Sequence, residues 1–286
     1  IGHAGEQVLE VLARQQVAIL QRFLAEFGQI GIARSIRDDF EPTRIDLLAV
    51  GHGIGRAAAE SLLDAGHEVV VHARTRQRLS AVEDLTARGA FGVVGDLAHL
   101  DQVQDVAEQA HRIGSISAVI HNAGVIDGAS LLPVNVVAPY VLTALLRDPG
   151  RLVFLSSSMH RSGHADLVGA DWSGSKETAS YSDSKLLITT LMAAVARLWP
   201  SVLANAVDPG WVPTKMGGPS ASDDLELGHV TQAWLAITDD SQAHVSGRYW
   251  HHQRTEKPHP AMHDERFQNE LLAALAQHTG LDLQHS

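Results

Sequence analysis

The sequence predicts an α/β fold: a doubly wound parallel sheet with helices on both faces, preceded by an extra N-terminal amphipathic helix. Two observations carry this expectation. From Ile45 onward, short and nearly unbroken apolar runs alternate with stretches of helical period. A strand covered on both faces is apolar throughout, and right-handed crossovers then give the doubly wound topology. Glycine and polar residues follow the apolar runs, at the sheet edge where ligands of such folds bind.

Residues 6–27 place Val8, Leu12, Ile19, Phe23 and Phe27 near helical spacing, with Leu9, Leu20 and Leu24 beside them. Gly28 is a plausible stop. Residues 34–44 are charged, contain Pro42 and read as a linker. The chain therefore divides into an N-terminal helix and linker, 1–43, and a single domain, 44–286. In that domain strands are expected over 45–50, 67–73, 90–96, 117–124, 151–158 and 201–210. Helices are expected over 55–66, 76–89, 100–114, 134–147 and 181–198. Residues 249–263 read as a loop near a substrate mouth. A closing helix over 264–277 turns Phe267, Leu271, Leu272 and Leu275 inward.

Composition excludes several classes of function. The net charge of −11 argues against a general nucleic-acid or anionic-membrane binder. With no cysteine, disulfides, thiolate nucleophiles and Cys-ligated zinc are excluded. No apolar run approaches the ~18 residues of a membrane span. A soluble cytoplasmic protein is the expectation, and a homo-oligomer is compatible with it. His251, His252, His259 and His263 match no metal-ligand spacing and share their stretch with two prolines, so no metal is expected.

The chemistry centres on Tyr181-Ser-Asp-Ser-Lys185. An i, i+4 pair shares one helix face, and an ammonium one turn from a phenol is expected to lower the Tyr pKa from ~10. That would suit the phenol to proton transfer. Ser156, Ser157 and Ser158 end a strand, where a hydroxyl can hydrogen-bond a carbonyl oxygen as charge develops on it; equally, serines cap helices. Asn122-Ala123-Gly124 supplies small residues where backbone must approach a flat ligand. Asn135 reads either as a surface amide or as one that holds a water behind the lysine.

This order of motifs resembles the short-chain dehydrogenase/reductase family from about Thr43 to Trp250, and more loosely its retinol-dehydrogenase-like branch. The corresponding residues are Gly53-Ile54-Gly55, Asp96, Asn122-Ala123-Gly124, Asn135, Ser157, Tyr181, Lys185 and Pro209-Gly210. The resemblance implies a Rossmann-like domain that interconverts a small alcohol with an aldehyde or ketone. It implies Tyr181 as general acid/base, Lys185 lowering its pKa and holding the nicotinamide ribose, Ser157 orienting the carbonyl and Asn135 holding a water. It further implies that Asp96 meets the adenine, and that Thr214, in the segment covering the nicotinamide, meets its carboxamide.

The first turn departs from the family pattern, with Leu48 and Ala49 where Thr and Gly are usual, and Asp46 interrupts the strand before it. Gly51 can supply the permissive backbone two residues later. After the second strand stands Arg74, with Arg76 and Arg78 close behind, where NAD enzymes carry an acidic residue. A guanidinium suits the 2′-phosphate, so NADP(H) is favoured over NAD(H). The alternative is a catalytically weak NADP(H)-binding sensor or scaffold.

Overall fold

Eight strands form one sheet in the order β3-β2-β1-β4-β5-β6-β7-β8. The computed structural model describes residues 44–146 except 49–52, and residues 149–283; of 44–48 it describes the backbone alone. The expected N-terminal helix and linker, and the turn that holds Ala49 and Gly51, lie outside the described residues.

The strands are β1 (Arg44–Leu48), β2 (Glu68–Ala73), β3 (Phe91–Val94), β4 (Ala118–His121), β5 (Arg151–Leu155), β6 (Leu203–Asp208), β7 (Arg248–His251) and β8 (Arg254–Thr255). All pairings are parallel except that of β7 with β8. The order reverses at β1: the chain first builds outward through β2 and β3, then returns to β4 on the other side. The crevice beyond the carboxyl ends of the strands opens at that reversal.

Eight helices are described: α1 (Ile54–Asp64), α2 (Arg76–Leu79), α3 (Glu83–Ala87), α4 (Leu100–Ile113), α5 (Ala138–Leu145), α6 (Tyr181–Leu198), α7 (Leu227–Ile237) and α8 (Glu265–Thr279). The valine run of β2 shows why both faces must be covered. Val70 joins one apolar cluster while Val69 and Val71 join the other, and all three are fully buried.

Three local readings need correction. The helix expected over 76–89 is broken by a 3₁₀ turn at Ser80–Val82. The Ser80 hydroxyl donates to the Gln77 carbonyl, a local bond that competes with helix propagation. The helix expected over 134–147 begins with a π turn, Pro133–Val137. Pro139 has no N–H to offer the Asn135 carbonyl four residues back, which removes one α-type bond from this stretch. The stretch 249–263, read as a loop, contains β7, β8 and a 3₁₀ turn at Pro260–His263. Helix α7 was not anticipated.

Helix α8 matches the expected closing helix, with Leu271 and Leu275 fully buried. Arg197 of α6 ties to it, donating to Gln268 Oε1 at 2.8 Å and to Asn269 Oδ1 at 2.7 Å. Leu271→Ala should therefore destabilise the protein by about 2–5 kcal/mol in denaturant titration. No helix among the described residues is long and apolar enough to cross a membrane.

Candidate active site

Of the residues singled out from sequence, Gly124, Asn135, Ser157, Tyr181 and Lys185 come together beyond the carboxyl ends of β4, β5 and β6, while Arg74 and Asp96 lie beyond β2 and β3. Ser180 and Asp183 form a reciprocal capping box that fixes where α6 starts, so Tyr181 is its first residue. Lys185 follows one turn later, buried, and its Nζ donates to the Leu155 carbonyl at 2.9 Å. That carbonyl is the last of β5, which places the amine beneath the strand end that leads to Ser157.

The three adjacent serines are not equivalent. Ser156 is buried and bonded to Thr189 Oγ1 at 2.7 Å. Ser158 is exposed and opens the 3₁₀ turn Ser158–Ser162. Ser157, half-buried between them, is the serine whose hydroxyl acts on the Tyr181 phenol and lowers its proton affinity.

The electrostatics differ from the sequence expectation. The Tyr181 pKa is not lowered; it is pushed up to about 12, first by burial and then by the negative charge of Asp208, with the Ser157 bond opposing. Lys185 does not offset this, because its Nζ lies 5.4 Å from the ring centroid and bonds elsewhere. Burial draws Lys185 down to about 8. At neutral pH the phenol therefore holds its proton.

Asn135 is buried inside the π turn rather than at the surface. Its Oδ1 accepts from Val125 N at 2.9 Å, while Nδ2 donates to the Val125 carbonyl at 2.9 Å and to Ser184 Oγ at 3.0 Å. The amide braces the chain after β4 against α6.

The glycine positions surround this centre. Gly53, at φ 78°, precedes α1 and leads into Ile54 and the buried Gly55. A Cβ at Gly53 would lie 3.0 Å from Thr214 Cγ2, so the segment after β6 crosses over the start of α1. A Cβ at Gly124, beyond Asn122 and Ala123, would fill space 3.7 Å from Lys185 Nζ and 3.5 Å from Asn135 Oδ1. After Pro209, Gly210 adopts φ 83°, where a Cβ would strike the Asp223 carboxylate at 2.5 Å. That carboxylate accepts from Trp211 N at 2.6 Å and closes the base of loop 211–223. The loop brings Met216 Sδ to 4.0 Å from the Tyr181 hydroxyl.

At the far end of the cleft, Arg74 reaches Asp96: Nε donates to Oδ2 at 2.8 Å and a terminal nitrogen lies at 2.7 Å. The Arg74 side chain is nonetheless 66 % exposed. Among the described residues, no group of three or more His, Asp or Glu side chains is arranged to hold a metal.

The short chain dehydrogenase family model matches residues 43–225, which is more than half of the chain. The chain belongs to the short-chain dehydrogenase family. A short-chain dehydrogenase of Penicillium rubens, chyC, is 34% identical over 254 residues, covering 84% of this chain and 98% of its own. Human retinol dehydrogenase 13 is 28% identical over 276 residues, covering 80% of this chain and 82% of its own. It bears out the looser likeness to the retinol-dehydrogenase-like branch. In fold, the dehydrogenase matches a Shigella flexneri short chain dehydrogenase solved with NADP, at a TM-score of 0.61 and 22% identity, over 76% of this chain and 100% of that one.

The protein is thus an NAD(P)-dependent oxidoreductase acting on CH–OH groups. Its residues fit a nicotinamide dinucleotide. The positive φ at Gly53 opens the start of α1, where helix amide hydrogens can face a pyrophosphate. The bare backbone at Gly124 leaves room beside Lys185 and Asn135. Asp208, Met216 and Tyr249 also stand at this site and were given no role from sequence. Their isolated motifs carry no signal until the strand ends are brought together.

Proposed function

We propose that this dehydrogenase is NADP(H)-dependent and interconverts an alcohol with an aldehyde or ketone, using Tyr181 as general acid/base. The observation that supports this reading best is the meeting of the Ser157 hydroxyl, the Tyr181 phenol and the Lys185 amine beside the open backbone of Gly124. The cofactor, when bound, supplies or accepts the hydride. Gly51, Gly53, Ile54 and Gly55 would hold its phosphates, Arg74 its 2′-phosphate and Asp96 its adenine. Asn122, Ala123, Gly124, Pro209, Gly210 and Thr214 would line its nicotinamide half, with Tyr181 and Lys185 on the ribose. In reduction Ser157 steadies the carbonyl oxygen and Tyr181 gives it a proton. Lys185 lends positive charge, and Asn135 holds the surrounding backbone and a water in place.

Two features refine the reading. Tyr181 holds its proton at neutral pH, which is the form reduction requires. Met216, beside the Tyr181 hydroxyl, and Met159, which follows Ser157 in the 3₁₀ turn, are 43% and 50% exposed, which suits a carbonyl carried on an apolar body. A cytoplasmic location and the division of the chain at 43/44 belong to the same proposal. The alternative, a weakly catalytic sensor, rests on Leu48 and Ala49 in the first turn. It predicts NADPH binding without turnover.

The test is NADPH oxidation with a panel of aromatic and long-chain ketones. Turnover is expected, and binding without turnover of any ketone would select the sensor. The pH dependence has a defined sign. kcat/KM for NADPH, which reports the free enzyme, should fall as pH rises through about 8, where Lys185 loses its charge. A profile flat to higher pH would remove Lys185 from the reaction.

A further inference from the structure

Asp208 is a carboxylate that the proposed proton transfer does not use, yet it sits behind the reacting groups. It ends β6 and is 4% exposed. Leu155 pairs with Val207, and Ser156 N donates to the Val207 carbonyl at 2.7 Å. Asp208 is therefore one residue beyond the partner of the carbonyl that Lys185 holds. Its carboxylate is fixed by the Tyr249 hydroxyl at 2.9 Å and by Gly210 N at 2.9 Å. Two donors thus hold the carboxylate in the wall of the site.

We propose that Asp208 is a positioning residue, the buried counter-charge that keeps the Lys185 ammonium protonated beneath Tyr181. Lys185 has the Leu155 carbonyl as its hydrogen-bond acceptor, a neutral group that does not balance a buried cation. The Asp208 charge opposes the burial that draws Lys185 down. The same charge raises the proton affinity of Tyr181, so one carboxylate acts on both members of the pair.

Other groups around them do not take this place. Tyr181, on the same helix, and Tyr249, on β7, are both held protonated by burial and by Asp208. His160, after β5, is fixed as the neutral tautomer: Nδ1–H donates to the Ser157 carbonyl at 2.7 Å and Nε2 accepts from His259 N at 3.1 Å. Arg161 lies over the Tyr249 ring but is paired with Glu256. His251, on β7, is the competitor, with Nδ1 3.9 Å from an Asp208 carboxylate oxygen.

The role rests on the function proposed above, but the coupling can be measured without turnover. The chain has four lysines, at 176, 185, 215 and 257, so a carbon-13 NMR titration of the lysine Cε atoms resolves Lys185, assigned with Lys185→Met. In the free wild-type protein the Lys185 midpoint is expected near 8. Asp208→Asn should lower it by at least about one pH unit. Tyr249→Phe keeps the carboxylate charged and should leave the midpoint unchanged or higher. If Asp208→Asn does not fold, Asp208→Ser, which admits water in place of the carboxylate, takes its place with the same expectation. An unchanged Lys185 midpoint in the folded Asp208 variant overturns the proposal. So does an equal fall in Tyr249→Phe, which would mark packing as the cause, or a shift confined to His251. Absence of ketone reduction in the wild-type protein, with the Lys185 shift in Asp208→Asn intact, would instead count against the proposed function alone.

Discussion

Tyr181→Phe should lower kcat for ketone reduction by about 10²–10⁴-fold, the range a positioned general acid contributes, while NADPH affinity changes little. The substitution removes one oxygen and keeps the ring. The capping box of Ser180 and Asp183 that starts α6 does not involve the phenol, so the helix should remain intact. Ser157 keeps its place as the cap of the following 3₁₀ turn, where it accepts from Met159 N. Steady-state rates with circular dichroism as a folding control give the measurement. A Phe variant with wild-type turnover would mean that the proton comes from elsewhere.

Arg74→Glu should reverse the cofactor preference. A charge-assisted hydrogen bond contributes about 1.5–3 kcal/mol, so losing it weakens NADPH binding roughly 10- to 150-fold. A carboxylate at the same place can accept from a ribose hydroxyl and should improve NADH. Arg74 is paired with Asp96, so binding a 2′-phosphate exchanges one anion for another rather than filling an idle guanidinium. This tempers the wild-type preference, and with it the part of the reversal that comes from losing the guanidinium. Dissociation constants for both nucleotides, in wild type and variant, decide it. An unchanged NADPH to NADH ratio would remove Arg74 from recognition.

Much of this was legible in the sequence because period and burial coincide. Three consecutive valines in β2 signal a strand covered on both faces, and their burial follows from that alone. Helix α6 was expected over 181–198 and spans Tyr181–Leu198, because Ser180 and Asp183 cap it chemically. The three serines are told apart only in three dimensions, where Ser156 is buried and Ser158 is exposed. The direction of the Tyr181 shift was misread for a physical reason. Spacing placed an ammonium one turn away, but spacing reveals neither the depth of burial nor that a carboxylate 27 positions on in sequence shares the site. The hairpin of β7 and β8 was hidden because its two histidines, and the prolines at 258 and 260 just beyond it, imitate a loop.

The central claim is that a nicotinamide cofactor binds along this strand edge, beside Ser157, Tyr181 and Lys185. A titration of NADPH with the protein, followed by nicotinamide fluorescence, tests it most directly. Saturable binding is expected, tighter than for NADH and lost when Gly124→Leu fills the space beside Lys185. Fluorescence that does not respond to wild-type protein, or binding that Gly124→Leu leaves intact, would contradict it.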